Sequence, residues 1–318
     1  MQFVFKKTIE LTSEEKNGLL DQFNAIMEKD RTLQEWESLY LNTALGYSFH
    51  ILMLDDGKLA GQNTGIPIYY LAEGKRSLFI CNVDTMIDAG YRGLENIYDL
   101  FKFSFNQFKD SGISLVYGFP NDMAYPVEKA LKIMKDVGRL DTYCLPYRIG
   151  GIKPSLKILN PFSKMFSWLF LLVSGLCSLK KKISFQIQKE EPSFNAFRYK
   201  WLDGGYQSVQ YKGTEFVYKL KRHEGVRTAF LVDVRDKNPR NFRNAVRYIL
   251  RKEKQNMDLL LYVGYLPFRH SGLIKFPEKY EPKHFHFMAS ILDEKSLTKE
   301  TVFDLSHWDI NLSNYDLI

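Results

Sequence analysis

Cysteine is scarce in this chain of 318 residues: Cys81, Cys144 and Cys177 are its only three, and no two form a CxxC pair. That spacing builds neither a disulfide framework nor a cysteine zinc site, and it predicts a reducing, cytoplasmic setting. Long apolar runs are lacking too. Met165 to Leu179 carries no charge over 15 residues, short of the ~20 that a spanning helix needs. The opening MQFVFKKTIELTSEEK has no apolar core and no small-residue cleavage site, so no signal peptide is expected. There is no Walker loop, GxGxxG, GxSxG elbow or nucleic-acid module. Acidic residues are in deficit, 37 against 44 Lys and Arg, for a net charge of +7. The excess turns the expected partners toward anions, namely phosphates and acidic membrane surfaces, and with no module present nucleic acid is not expected.

Aromatics are plentiful, with 24 Phe and 19 Tyr, enough for a large core. Val4–Leu11 alternates as a strand, and Thr12-Ser13-Glu14-Glu15 signals the start of a helix running to about Lys29. Thr32–Leu41 predicts a second helix. Asp55-Asp56-Gly57 joins Ser48–Leu54 to Lys58–Gly61 as a hairpin, and Ile66–Leu71 and Ser77–Val83 are two more strands. Ile97, Leu100, Phe101, Phe105 and Phe108 recur at helical spacing within Gly93–Asp110. The almost wholly apolar Ile113–Tyr117 predicts a strand buried on both faces. A helix over Tyr125–Lys135 and a strand over Thr142–Arg148 close the unit. Met165–Leu179 predicts a buried connecting helix, or else one lying in a membrane interface and anchored by Lys180-Lys181-Lys182.

The second half repeats this order. FICNVDTM, a helix and ISLVYGFP correspond to TAFLVDVR, a helix over Asn238–Gln255 and LLLYVGYLP. Both read strand, loop, helix, strand and end in Gly-aromatic near a proline, which points to duplication of one βαβ core. The chain is accordingly expected to divide at 1–151 and 183–318, with a connecting helix over 152–182.

Strand, Tyr91-Arg92-Gly93, long helix and a strand ending YGFPN resemble the GNAT superfamily of acyl-CoA N-acyltransferases. The tail HWDINLSNYDLI is similar to the ends of tandem members from bacterial polysaccharide-modification loci. The resemblance implies an α/β (α+β) architecture of two tandem GNAT-like domains. Each is a mixed, mostly antiparallel sheet flanked by helices around a central βαβ unit. It implies an N-acyltransferase that takes acetyl-CoA or another acyl-CoA as donor, needs no metal, and acts on a small amine, such as an amino sugar in polysaccharide synthesis. Asn82, Val83, Asp84 and Thr85 fall on the fourth strand, whose bulge in this family offers an N–H to the thioester oxygen. Arg92, Gly93, Leu94, Glu95 and Asn96 fall where the family holds the CoA pyrophosphate at a helix start. The family's pattern there is Gln/Arg-x-x-Gly-x-Gly/Ala; Glu95 and Ile97 depart from it. Either Glu95 points outward, or it caps the free N–H groups itself and leaves no phosphate site.

Asn121 is expected to bond the pantetheine arm, or to cap the helix after it. Tyr125, Tyr117 and Tyr143 are candidates to protonate the departing thiolate, and Asp84, Glu37 or a water chain to take the amine's proton. Arg240, Arg243, Arg247 and Arg251 form one helical stripe, either a solvated face or an anion site. Pro239, and the lack of an Arg-Gly pair, speak against a second cofactor site. His284 and His286 share a strand face and His270 is a third histidine, but no nearby cysteine or carboxylate cluster supports a site, so a metal is not expected. The competing functions are an aminoacyl-tRNA-dependent ligase of the same duplicated fold and an inactive binding protein. The expected location is cytoplasmic, with peripheral contact at the inner membrane face through Met165–Lys182; oligomeric state is not legible.

Overall fold

Local chemistry starts the elements where the sequence marks them. In the computed structural model the described residues are 1–176, 184–191, 193–200, 204–281 and 283–315; Cys177, Leu179 and Lys180–Lys182 lie outside them. After β1 (Gln2–Lys7), Thr12 accepts from the Glu15 N–H and Glu15 from the Thr12 N–H, starting α1 (Ser13–Met27). Thr32 and Glu35 do the same for α2 (Leu33–Leu41). β2 (Phe49–Asp55) turns through Asp56 and Gly57, both left-handed (φ 46° and 78°), into β3 (Lys58–Ala72). β4 (Lys75–Ile87), α3 (Leu94–Asp110), β5 (Leu115–Gly118), α4 (Ala124–Ala130) and β6 (Lys135–Pro146) follow.

Three boundaries differ from expectation. β1 gives way at Thr8 to a single 3-10 turn. The segments Lys58–Gly61 and Ile66–Leu71 are one strand. Pro67 sits in it without loss, because the ladder to β2 ends at the pair Phe49 and Gly65 and no donor is needed beyond. The helix expected to reach Lys135 stops at Ala130, and the strand expected from Thr142 begins at Lys135.

The rest of the chain supplies α5 (Ile149–Ile152), α6 (Asn160–Leu176), β7 (Ile187–Lys189), α7 (Ser193–Arg198), β8 (Tyr206–Tyr211), β9 (Thr214–His223) and β10 (Val226–Val234). It ends with α8 (Pro239–Lys252), β11 (Leu259–Gly264), β12 (Ile274–Lys275), β13 (Phe285–Ile291) and α9 (Lys299–Val302).

The chain forms two compact units, and neither is continuous. The first takes Met1–Arg139, Phe185–Gly204 and Lys283–Asp309; the second takes Leu140–Ser184, Gly205–Pro282 and Ile310–Ile318. The expected cuts at 151 and 183 miss this interleaving, and strand pairing is its cause. In the first unit β1 to β5 pair in succession, and the free edge of β5 is taken by β13, antiparallel, with Met288 opposite Gly118. In the second, β8 to β11 pair in succession, and the edge of β11 is taken by residues 141–146 of β6. Each half of the sequence thus lends a strand to the sheet built mainly from the other.

Within the first unit, α3 covers one sheet face through Leu100 and Phe108 against Phe49, Ile51, Ile80 and Val116. On the other face Trp308 sits among Tyr70, Phe79, Tyr117 and Phe287, its indole N–H bonded to the Val302 carbonyl at 2.8 Å. In the second unit α8 buries Phe242, Val246, Ile249 and Leu250 against Leu231, Leu260 and Tyr262.

Helix α6 belongs to the second unit and is not the buried connector that its composition suggests. Ser167, Leu171 and Ser174 face inward, with Trp168 and Phe170 half-buried beside the core. Phe162, Met165, Phe166, Leu169, Leu172, Val173 and Leu176 are exposed, between 45% and 80%.

Candidate active site

A bulge in β4 is the centre of the first unit's site. Thr64 pairs with Val83 and Gln62 with Met86, so Asp84 and Thr85 together face only Asn63. Asp84 takes up the extra length with φ 49°, a left-handed conformation that Asp tolerates better than most side chains. On its other edge β4 pairs in parallel with β5 from Phe79–Leu115 as far as Asn82–Gly118. There β5 ends and its chain turns away through Phe119-Pro120-Asn121, while β4 continues to Ile87. The ladder stops short of the bulge, and among the described residues no strand pairs with this edge of β4 there.

Side chains lock this geometry. Asn82 Nδ2 donates to Thr85 Oγ1 (3.0 Å), Thr85 to Asn63 Oδ1 (2.7 Å), Asn63 Nδ2 to Ser104 Oγ on α3 (2.9 Å), and Ser104 to the Leu100 carbonyl (2.6 Å). Buried Asn82 Oδ1 has no partner among the described residues. Asp84 pairs with Arg31 Nη1 at 3.2 Å, both side chains about as buried as core residues (5% and 6% exposed), and it accepts from the Tyr40 hydroxyl. Arg31 is itself fixed: its guanidinium lies 3.7 Å from the Phe23 ring centre, and its backbone N–H and carbonyl are both bonded by the Asn24 side chain. Nearby His50 is buried between the hydroxyls of Thr8 and Thr64, and burial pushes its pKa down to about 3.

Past β4, α3 begins without a side-chain cap, since its N-cap is Gly93. The N–H groups of Leu94, Glu95 and Asn96 precede the first helical bond, Ile97 to Gly93 at 3.0 Å. Glu95 is exposed and caps nothing; its carboxylate makes no hydrogen bond or ion pair among the described residues. Arg92 donates Nε to the Ile87 carbonyl and is otherwise exposed, and Asn96 holds the Tyr91 carbonyl. Of the two arrangements open at Glu95, the structure has the outward one.

The remaining candidates scatter. Asn121 Oδ1 accepts from the N–H groups of Met123 and Ala124, leading the chain into α4. The Tyr125 hydroxyl donates to Asp136 at 2.8 Å. Tyr117 is buried against Tyr70, and its pKa is raised first by burial. Tyr143 lies in the second unit's core, raised likewise by burial, and Glu37 is paired with Lys16.

The second unit repeats the design and closes it. β10 is bulged between Leu231 and Asp233 opposite β9, and runs parallel to β11. But Asn238 caps α8 by accepting from the Asn241 N–H at 3.0 Å, and Pro239 follows at the first helical position. The C-terminal segment fills the gap beyond. Asn311 Nδ2 donates to Asp233 Oδ1 at 2.7 Å, and Tyr265 N–H to the Ile310 carbonyl at 3.1 Å. A Cβ on Gly264 would meet the Ile310 carbonyl oxygen at 2.8 Å. Asn311, Ser313 and Asn314 are wholly buried.

By sequence, no family model and no curated protein matches this chain. Solved structures do. A probable N-acyltransferase of Enterococcus faecalis V583, described as a conserved protein of unknown function, superposes with TM-score 0.60 at 12% identity, over 92% of this chain and 73% of its own. A GCN5-related N-acetyltransferase of Anabaena variabilis ATCC 29413 gives 0.57 at 14%, over 91% and 73%. One from Kribbella flavida gives 0.57 at 10%, over 92% and 72%. The chain therefore has the GNAT fold, as the motifs around Arg92 and YGFPN imply.

The sequence reading missed the third member of a cluster beside the entry to α4. Asp122, His284 and His286 converge there within 4.8 Å, although 162 positions separate the first two. Local pattern pairs His284 with His286 but carries no sign of Asp122.

Proposed function

We propose that the first unit is an acyl-CoA-dependent N-acyltransferase. One observation carries this reading: in the first unit the β4–β5 ladder stops short of a bulge and an uncapped helix start, while the second unit's equivalent gap is filled by its own chain. The uncapped N–H groups of Leu94, Glu95 and Asn96, at the positive end of α3, take the CoA pyrophosphate. The pantetheine arm runs along the free edge of β4, and a backbone N–H of the bulge holds the developing oxyanion. The acceptor amine attacks the thioester carbon, the C–S bond breaks, and the proton lost by nitrogen ends on sulfur. We assign Asp84 to holding the bulge, since Arg31 and Tyr40 occupy its carboxylate. Acetyl-CoA is the proposed donor, and the tail resemblance supports a sugar-borne amine as acceptor.

Gly93 gives the sharpest test. A Cβ there meets nothing within 4 Å, so Gly93→Asp is accommodated. The new carboxylate caps α3 and is expected to stabilise the protein by about 0.5–1 kcal/mol. Facing the pyrophosphate, it should also weaken acetyl-CoA binding by a factor of roughly 10 to 100. Calorimetric titration and thermal melting read the two effects. No binding of acetyl-CoA to the unmodified protein at millimolar concentration, or equal binding by both, overturns the assignment.

We also propose that α6 rests on an anionic membrane surface. Lys153 and Lys157, just before the helix, are exposed, Arg251 lies over the Trp168 ring, and Arg243 approaches Gly175. Pro154–Leu176 is long and apolar enough to cross a membrane, but its inner side is occupied by protein, which supports lying in the interface. Vesicles of phosphatidylcholine with phosphatidylserine should float the protein. Leu169→Glu and Leu172→Glu, both at exposed positions, should each cut that recovery at least tenfold. Recovery of the unmodified protein wholly in the soluble fraction would sink the reading.

A further inference from the structure

We propose that Asp122, His284 and His286 form a binding site for one divalent transition ion of the Zn2+ class. Asp122 Oδ1 lies 3.2 Å from His284 Nδ1 and 3.1 Å from His286 Nε2. Zinc bonds nitrogen and carboxylate oxygen at about 2.0–2.1 Å, so the edges of its tetrahedron are roughly 3.3 Å. Two of the three edges are thus already at ligand spacing. The third, between the imidazoles, closes from within 4.8 Å by small rotations of two side chains.

The fold presents these groups for a reason that the sequence hides. β13 runs antiparallel to β5 with Met288 opposite Gly118. The residues before Met288 therefore extend past the end of β5, alongside the loop that carries Asp122. Positions 284 and 286 fall on one side of the strand. The Asn121 turn sets Asp122 at the entry to α4. His286 is held flat against the Tyr125 ring, with centroids 3.7 Å apart and planes 6° apart. That contact fixes the imidazole plane before any ion arrives, so little side-chain entropy is lost on binding.

Exposure grades outward, with His286 at 18%, His284 at 35% and Asp122 at 48%. The open side leaves room for water as a fourth ligand. Two imidazoles and one carboxylate suit Zn2+, Co2+ or Ni2+ and are a poor set for Mg2+ or Ca2+, which favour all-oxygen shells. Binding replaces the hydrogen bonds that the two rings make to Asp122: each ligating nitrogen gives up its proton to the ring's other nitrogen. No oxidant or reductant is involved. The bound ion would tie the Asn121-Asp122 loop, and with it the start of α4, to β13.

The test uses the full chain, free of any histidine tag and dialysed against chelator. Titration with Co2+ is followed by its visible d–d absorption, and titration with Zn2+ by calorimetry. One ion per chain is expected, with visible bands of a low-coordinate Co2+ site and a rise in Tm on adding Zn2+. Asp122→Asn and His286→Ala should each weaken binding at least tenfold and abolish the Tm rise, with circular dichroism unchanged. His270→Ala, at an exposed position of the second unit, should bind like the parent. No saturable binding at millimolar ion, binding that survives both Asp122→Asn and His286→Ala, or preference for Mg2+ or Ca2+ would overturn the proposal. The readouts need no acyl-CoA, so they stand or fall apart from the transferase reading.

Discussion

Arg31→Met is expected to destabilise the first unit by about 3–5 kcal/mol, because among the described residues it leaves the interior Asp84 carboxylate with Tyr40 as its one remaining partner. For a protein of this size that is a Tm fall of roughly 10 °C. The loss belongs to the unpaired charge, not to the missing bond, and a second substitution separates the two. Adding Asp84→Asn removes the charge while keeping a side chain that accepts φ 49° and still bonds Tyr40. The double variant should recover most of the stability. Denaturant unfolding of the four proteins of this cycle supplies the measurement, and a double variant no more stable than Arg31→Met alone contradicts the argument. The same cycle bears on function. If Asp84 anchors the bulge, the rescued double variant keeps both acyl-donor affinity and transfer; if it were an obligatory base, the double variant would bind the donor and transfer nothing.

The second large effect depends on pH. Glu128 is buried within α4, and burial alone raises its pKa from 4.5 to about 7; its Oε2 has no partner among the described residues. The folded state therefore holds this proton more tightly than the unfolded chain does. Below about pH 4.5 both states carry the proton and Glu128 adds no pH-dependent cost. As pH rises from there through 7 the unfolded chain ionises first, and stability falls by about 3 kcal/mol in total. Glu128→Gln should remove this slope and be the more stable protein at pH 8. His50 acts in the opposite sense: its depressed pKa gives stability that is complete above about 6.5 and lost as pH falls toward 3. The informative quantity is thus the difference between Glu128→Gln and the parent from pH 5 to 8. A difference that does not change with pH refutes the assignment.

Much of the first unit was legible because its signals are local. Thr12 with Glu15, Asp56-Gly57 and the apolar ladder of α3 each set structure within a few residues. The βαβ repeat was legible because both copies keep strand, helix and strand in order. Strand exchange was not. The sequence placed His284 and His286 on one strand face but did not say whose edge that strand joins, and β5 lies far away in sequence. The helix over Tyr125–Ala130 was overextended because Leu131 to Lys135 carries helix-compatible residues and no breaker. Around the site, the resemblance implied a bulge somewhere within Asn82–Thr85 and a helix start at Gly93, but the partner of Asp84 is Arg31, on a loop that no motif marks. The choice between a buried and a bare α6 stayed open too, since an uncharged run looks the same either way.

The interleaving of strands bears on how the polypeptide can be dissected. A fragment ending at residue 151 would retain β6, whose residues 141–146 would have lost β11, and would expose β5 along the edge that β13 covers. The complementary fragment would carry β13 with no β5 to receive it, and β11 would lie bare. Such uncovered edges are templates for mispairing. Expressed singly, the halves should aggregate; produced together, they should reassemble by trading strands. The natural unit for truncation, circular permutation or domain grafting is therefore the whole chain.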